Sequence, residues 1–151
     1  MTPEELKIKF SEIVPSITYA EGTEMFTLFI DASEFKDFAQ VIFNDDNLAF
    51  DYMFCLTCVD WKTHLTMVYH LESTKHGHII IIKAKLDREN PEIETVCDIW
   101  RTAELLEREV YELFGVRFLN HPDLRRLLLT DDFEGWPLRK DFEDDINMIK
   151  L

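Results

Sequence analysis

Three groups of side chains in this 151-residue chain have types and spacings that could do chemistry. The first is Cys55-Leu56-Thr57-Cys58, the spacing of a redox dithiol or of half a zinc site. A dithiol needs a helix N-terminus to lower one thiol pKa, and zinc needs two further ligands close by. This pair lies instead in a run of strand character, where residues three apart point to opposite faces, so the sulfurs diverge and both read as small buried apolar groups. Cys97 has no partner in sequence. The second group is His76-Gly77-His78, with His64 and His70. Histidines two apart on a strand share a face, but this spacing matches no zinc signature, and a turn before a strand is where exposed histidines sit. The third is Glu104, Glu107, Arg108, Glu109 and Glu112 on one stretch of helical period. Paired carboxylates could serve acid–base work or a di-iron centre, yet the di-iron pattern requires Glu-x-x-His on two helices and no histidine has that offset. Glu104 with Arg108, and Arg108 with Glu112, read as i,i+4 surface pairs. Glu107, Glu109 and Glu112 are left in excess, and the arginines of the following segment, or a partner's, are their natural counter-ions. With no G-x-S-x-G and only four scattered glycines, the residues assign no catalytic group and no metal ligand.

The elements that must carry these groups follow from period and punctuation. Thr2-Pro3-Glu4-Glu5 is a capping box opening a helix that buries Leu6, Phe10 and Ile13 and stops at Pro15. Ile17 and Tyr19, then Met25 to Ile30, flank a turn at Glu21 to Glu24 and read as a hairpin. A second helix starts near Ala32, with Phe35, Phe38, Ala39 and Ile42 on one face. Strands follow at Phe50 to Asp60, Leu65 to Leu71 and His78 to Leu86, joined by short turns that favour antiparallel neighbours. The third helix is expected from about Cys97 to Phe114, from Ile99, Ala103, Leu106, Val110 and Leu113, with Gly115 as its stop. The order α-β-β-α-β-β-β-α predicts an α+β two-layer domain over residues 1–115, with helices on one face of a mainly antiparallel or mixed sheet.

Residues 116–151 are read as an extended C-terminal arm. They lack a helical or strand period, yet carry Phe118, Leu124, Leu127, Leu128, Leu129, Phe133, Trp136, Leu138 and Phe142, too apolar for a solvated tail. Arg117, Arg125, Arg126, Arg139 and Lys140 add positive charge in an acidic chain. Such an arm calls for a surface: a partner's is expected, and its own domain is the alternative.

Composition narrows the functional classes. Sixteen Lys and Arg stand against thirty Asp and Glu, for a net charge of −14, so nucleic acid is excluded as a partner over most of the surface. The longest aliphatic run is Ile79 to Ile82, far short of a bilayer span, and Met1 to Glu5 has neither the basic flank nor the apolar core of a secretory signal. Three cysteines are expected as reduced thiols in the cytosol. A binding or scaffold module is the reading these residues favour.

The run Glu107-Arg108-Glu109-Val110-Tyr111-Glu112-Leu113-Phe114, then His121-Pro122-Asp123-Leu124-Arg125-Arg126-Leu127, resembles the signature of the C-type, 30-kDa subunit family of NADH:quinone oxidoreductase (respiratory complex I). The resemblance continues through Asp131-Asp132-Phe133-Glu134-Gly135-Trp136-Pro137-Leu138-Arg139-Lys140-Asp141-Phe142, and more loosely through Leu56 to Asp60 and Val68 to Leu71. It implies a non-catalytic peripheral-arm subunit of a proton-translocating enzyme that binds no cofactor itself, NAD, FMN, iron–sulfur clusters and quinone belonging to the whole complex. It further implies a hydrogenase-large-subunit-like (49-kDa, D-type) partner with other peripheral-arm subunits, no direct membrane insertion, and a place at the cytoplasmic face of the cell membrane. Carried over by residue, Glu107, Arg108, Glu109 and Glu112 would fix the last helix against the start of the arm. His121, Asp123, Arg125, Arg126, Asp132, Gly135, Pro137, Arg139, Lys140 and Asp141 would lie along the partner. Thr130 and Trp136 depart from the usual proline and histidine or tyrosine, and the chain stops soon after the Arg-Lys-Asp motif. An equivalent accessory subunit of an energy-converting membrane-bound [NiFe] hydrogenase or formate hydrogenlyase-type complex is the alternative. A stand-alone metalloenzyme built on His76, His78 or the helix carboxylates is a third reading, which the ligand spacing does not support.

Overall fold

In the computed structural model, which describes residues 1–146, the capping box forms as the sequence requires. Thr2 Oγ1 accepts from the Glu5 amide at 3.2 Å and the Glu5 carboxylate accepts from the Thr2 amide at 2.8 Å. Helix α1 (Pro3–Ile13) then buries Leu6 and Phe10 and ends just before Pro15. Strands β1 (Thr18–Tyr19) and β2 (Phe26–Asp31) follow, and Asp31 caps helix α2 (Ala32–Asn44) by accepting from the Ser33 amide at 2.9 Å. Phe35, Phe38, Ala39 and Ile42 of α2 are fully buried, the face that the i, i+3, i+4, i+7 spacing specified.

Strands β3 (Tyr52–Asp60), β4 (Leu65–Ser73) and β5 (His78–Leu86) complete a five-stranded sheet in the order β1-β2-β5-β4-β3. The short connections give antiparallel pairs, whereas β2 and β5, separated in sequence by a helix and two strands, pair in parallel. The sheet is therefore mixed. One face carries the core, with Leu28, Leu56, Met67, Tyr69, Ile80 and Ile82 buried beneath the helices. The registers place Phe29, Lys83, Val68 and Thr57 in one row across the opposite face, and Asp31, Lys85, Thr66 and Val59 in the next.

Two features differ from expectation. Helix α3 spans Ala103–Phe114 and begins later than Cys97. Between Cys97 and Thr102 the chain makes turns, held where the Trp100 indole donates to the Phe50 carbonyl and the Thr102 hydroxyl to the Met53 carbonyl, both at 2.9 Å. These tertiary bonds fix a course that the apolar period of Ile99 and Ala103 cannot reveal. The second is a pair of three-residue strands, β6 (Glu92–Glu94) and β7 (Arg117–Leu119), which pair in parallel on either side of α3. They bury Ile93 and Phe118, so the first residues after Gly115 belong to the domain, and irregular structure starts at Asn120.

Candidate functional site

Helix α3 is the axis on which the sequence's charged motif converges. Its Glu107, Arg108 and Glu112 are all buried. An anion and a cation at that depth require dedicated partners, because desolvation costs several kcal/mol for each unpaired ion.

Arg108 and Glu112, one turn apart, grip the main chain of the arm. The Arg108 guanidinium donates to the carbonyls of Arg125 and Arg126, both at 3.0 Å. The Glu112 carboxylate accepts from three successive amides, those of Leu127, Leu128 and Leu129, at 2.9–3.0 Å. Burial by itself would raise the Glu112 carboxyl, but those three donors hold it below the ordinary range. The counter-groups expected for these glutamates were arginine side chains. The observed ones are peptide groups, which concentrate as much donor density as a guanidinium in three residues of chain. Glu109 is half-buried and has no ion pair among the described residues.

Two further anchors follow along the arm. At the C-terminus of α3, the Leu138 amide donates to the Leu113 carbonyl at 3.1 Å and Arg139 Nε to the Phe114 carbonyl at 2.7 Å, satisfying two carbonyls the helix leaves open. Gly115, at φ 75°, lets the Trp136 indole lie against its α-carbon, where a β-carbon would come within 2.6 Å of the ring. Gly135, at φ 84°, does the same for Phe142 at 3.1 Å, next to Pro137. The third anchor is Asp60 at the end of β3. Its carboxylate accepts two bonds from Arg88, at 3.0 and 3.1 Å, one from the Lys62 amide at 2.7 Å and one from the Lys140 amide at 2.9 Å. The Arg88 bonds, reinforced by the two amides, hold the Asp60 carboxyl far below the usual carboxylate range. Arg88 also reaches Asp141 at 2.7 Å. Asp60 and Arg88 were absent from the residues singled out by motif, because an acidic residue ending a strand and an arginine in a turn carry no pattern until the arm is laid across them.

Glu107 faces the other way, into the core. It accepts from the Thr95 hydroxyl at 2.5 Å and the Val96 amide at 2.9 Å. Burial outweighs these donors and pushes its carboxyl up to about 7. His121 packs 3.7 Å from it, and Cys97 completes a group within ligating reach, the one such group among the described residues. The hydrogen bonds do not suit a metal. His121 Nδ1 accepts from the Asp123 amide at 3.0 Å, which leaves Nε2 to carry the proton that it presents to the Glu104 carbonyl at 3.1 Å. The nitrogen facing Cys97 and Glu107 thus has no free lone pair for a metal, and His121 serves to close the loop onto α3.

A consequence in solution follows. The native state keeps a proton on Glu107 up to about pH 7, whereas the unfolded chain releases it near the ordinary value of 4.5. Between those limits the native state binds more protons, so this group's contribution to stability falls as pH rises, by up to roughly 3 kcal/mol. Glu107→Gln is expected to gain on the wild type by about 1–3 kcal/mol between pH 5 and pH 8 in urea unfolding. A constant difference across that range would show that Glu107 is ionised throughout.

The remaining candidates separate. Asp123 pairs with Arg125 at 3.0 Å on the surface, Arg126 donates to the Thr130 carbonyl, and Asp132 is exposed. Cys58 lies on the core face with its thiol pushed up to about 12 by burial, and Cys55 is half-buried on the opposite face, so the CxxC sulfurs do diverge. His76 and His78 stack at 6.0 Å beside the N-terminus, while His64 stacks on Trp61 at 6.4 Å. None of the described helices is long and apolar enough to cross a membrane.

Comparison with known proteins places this geometry. Residues 28–146 match the family described as the respiratory-chain NADH dehydrogenase 30 Kd subunit. The C/D subunit of the NADH-quinone oxidoreductase of Phocaeicola vulgatus is 46% identical over 103 residues, 67% of this chain and 20% of that protein. The C subunit of the Chloroherpeton thalassium enzyme is 38% identical over 91% of this chain and 58% of its own length, so this chain spans a fifth and somewhat over half of these two relatives. The C subunit of the F(420)H(2) dehydrogenase of Methanosarcina mazei is 38% identical over 93% of this chain and 89% of its own. Among solved structures, a chain of the membrane-bound sulfane sulfur reductase, an archaeal respiratory membrane complex, superposes with a TM-score of 0.78 at 29% identity, covering 93% of this chain and 85% of that one. A trypsin-resistant fragment of Nqo5 shares the fold at a TM-score of 0.68 and 24% identity, covering 82% of this chain and 100% of the fragment. With the family match over most of its length, and relatives 38% identical over more than nine-tenths of it, this chain belongs to the respiratory-chain NADH dehydrogenase 30 kDa subunit family.

Proposed function

We propose that the chain is a non-catalytic subunit of the peripheral arm of a complex I-type, proton-translocating NADH:quinone oxidoreductase. It joins the connecting module together and so supports electron transfer from NADH to quinone. It holds no cofactor, NAD, FMN, iron–sulfur clusters and quinone lying in the other subunits, and it works at the cytoplasmic face of the membrane beside a D-type, hydrogenase-large-subunit-like partner. The observation that carries this reading is the division of labour along the arm. Its main chain is spent on α3 and Asp60, while Leu127, Leu128 and Leu138 stand exposed along the same stretch, Leu128 at 72%. A segment tied down through its backbone with leucines turned outward is built to be covered. The relatives whose names join C with D lend support, since there the matching stretch is a fifth of one longer polypeptide. The full-length likeness to a component of an F(420)H(2) dehydrogenase favours a second reading, the same scaffold in an enzyme with another electron donor.

The test is to tag the chain at Met1, purify it from gently solubilised native membranes and identify its companions. A D-type partner with NADH-oxidising subunits is expected, and an F(420)H(2)-oxidising protein in their place would select the second reading. Arg125→Ala with Leu128→Ser, both at exposed positions, should leave unfolding stability within about 1 kcal/mol of wild type and cut the recovered D-type partner about tenfold. Undiminished recovery would overturn the role given to the arm.

A further inference from the structure

Among the described residues, no layer covers the outer face of the five-stranded sheet. Of the exposed large apolar side chains, Phe29, Tyr52, Val59 and Ile79 lie on this face by strand register, Phe54 by its ring contact with His70, and Trp61 by its place just after β3. Between Phe29 and Trp61 it forms a groove of about 720 Å³, floored by Val68 and crossed by Lys83 and Lys85. The Lys83 ammonium sits 5.8 Å over the Phe29 ring, and neither it nor Lys85 makes an ion pair among the described residues. In a chain of net charge −14, a groove whose charged lining is Lys83 and Lys85 against the single carboxylate of Asp31 is a local reversal of sign. The arm passes the same place, where Lys140 donates its amide to Asp60 and holds its ammonium 5.8 Å over Trp61. The face is thus continuous with the arm's outer side.

We infer that this groove is a second docking surface, and that its occupant is a segment of a partner protein in which apolar residues alternate with Asp or Glu. The inference rests on the scaffold reading above and extends it from the arm to the sheet. Charge decides the occupant. A second copy docked through the same face about a two-fold axis would set two net-positive grooves against each other, with one Asp31 to two lysines on each side. An anionic membrane would gain from too few lysines to offset the repulsion of so acidic a chain. An acidic, apolar segment finds rings and methyl groups for its apolar side chains and two ammonium groups for its carboxylates.

The experiment places a photo-crosslinking residue in the full chain within native membranes, as Val59→p-benzoylphenylalanine, and in parallel as Leu128→p-benzoylphenylalanine on the arm. The expected result is a covalent adduct from the Val59 position to another protein of the complex, at a peptide bearing Asp or Glu among apolar residues. Lys83→Glu with Lys85→Glu should lower its yield about tenfold. An adduct to a second copy or to lipid, or a yield indifferent to the charge reversal, would overturn the inference. So would capture from the Leu128 position alone, which leaves the arm's role standing. Capture from Val59 alone upholds the groove and overturns the arm, and capture from neither overturns both.

Discussion

Glu112→Ala should release the arm from α3 and expose it to proteolysis. The substitution strips the shared acceptor from the Leu127, Leu128 and Leu129 amides and leaves Arg108, through the Arg125 and Arg126 carbonyls, to hold this part of the arm alone. Each orphaned donor costs about 1–3 kcal/mol if it stays buried, so the arm escapes the full penalty by lifting into water. The expected loss is about 3–5 kcal/mol, as for the removal of one member of a buried charged set. Because each 1.4 kcal/mol is tenfold in an opening equilibrium, trypsin should cut after Arg125 or Arg126 roughly a hundred times faster or more, with the sheet and α1 still protected. Glu112→Gln keeps one acceptor oxygen and should fall between the two. If cleavage at Arg125 and Arg126 in Glu112→Ala matched the wild type, the amide cradle would have no energetic role.

Asp60→Ala is the second large effect, and it acts on two parts of the chain at once. The carboxylate joins the end of β3 to the Lys62 turn, to Arg88 beyond β5 and to the Lys140 amide in the arm. Its removal leaves the mostly buried Arg88 guanidinium with exposed Asp141 as its remaining anion and takes the acceptor from the Lys62 and Lys140 amides, a loss of about 3 kcal/mol. The pH dependence has a definite sign. A carboxyl whose native pKa is depressed contributes stability that is present above its unfolded value and is lost as pH falls toward the native one. The gap between wild type and Asp60→Ala should therefore be constant from about pH 5 to pH 8 and close only below the ordinary carboxylate range. A gap that closed already near neutrality in urea melts would assign the effect to some other group.

Much of the scaffold was legible because its signals are local. A capping box, an i, i+3, i+4, i+7 face on α2 and three long strands with tight turns each declare themselves within a dozen residues. What stayed hidden depends on partners distant in sequence. The Glu92–Glu94 and Arg117–Leu119 strands are too short to show a period and exist because they pair across α3. The start of α3 is set by bonds from Trp100 and Thr102 to residues about fifty positions away. At the site, the residue types of α3 pointed to charge pairing with the arm, and the arm is where Arg108 and Glu112 go. The nature of the partner was not readable, since a peptide amide belongs to every residue alike. Thr95, Asp60 and Arg88 were missed for the same reason: each is ordinary until a remote segment is brought against it.

The grip of Arg108 and Glu112 on carbonyls and amides has an evolutionary corollary. A clasp that recognises main chain is indifferent to the identity of the residues it holds, proline at the donor positions excepted. The clasp on the amides of Leu127, Leu128 and Leu129 does not depend on their side chains, and the exposed ones of Leu127 and Leu128 are left free to drift with whatever they face. Attachment of the arm to its own domain and the chemistry of its outer side are thus carried by different atoms of the same few residues.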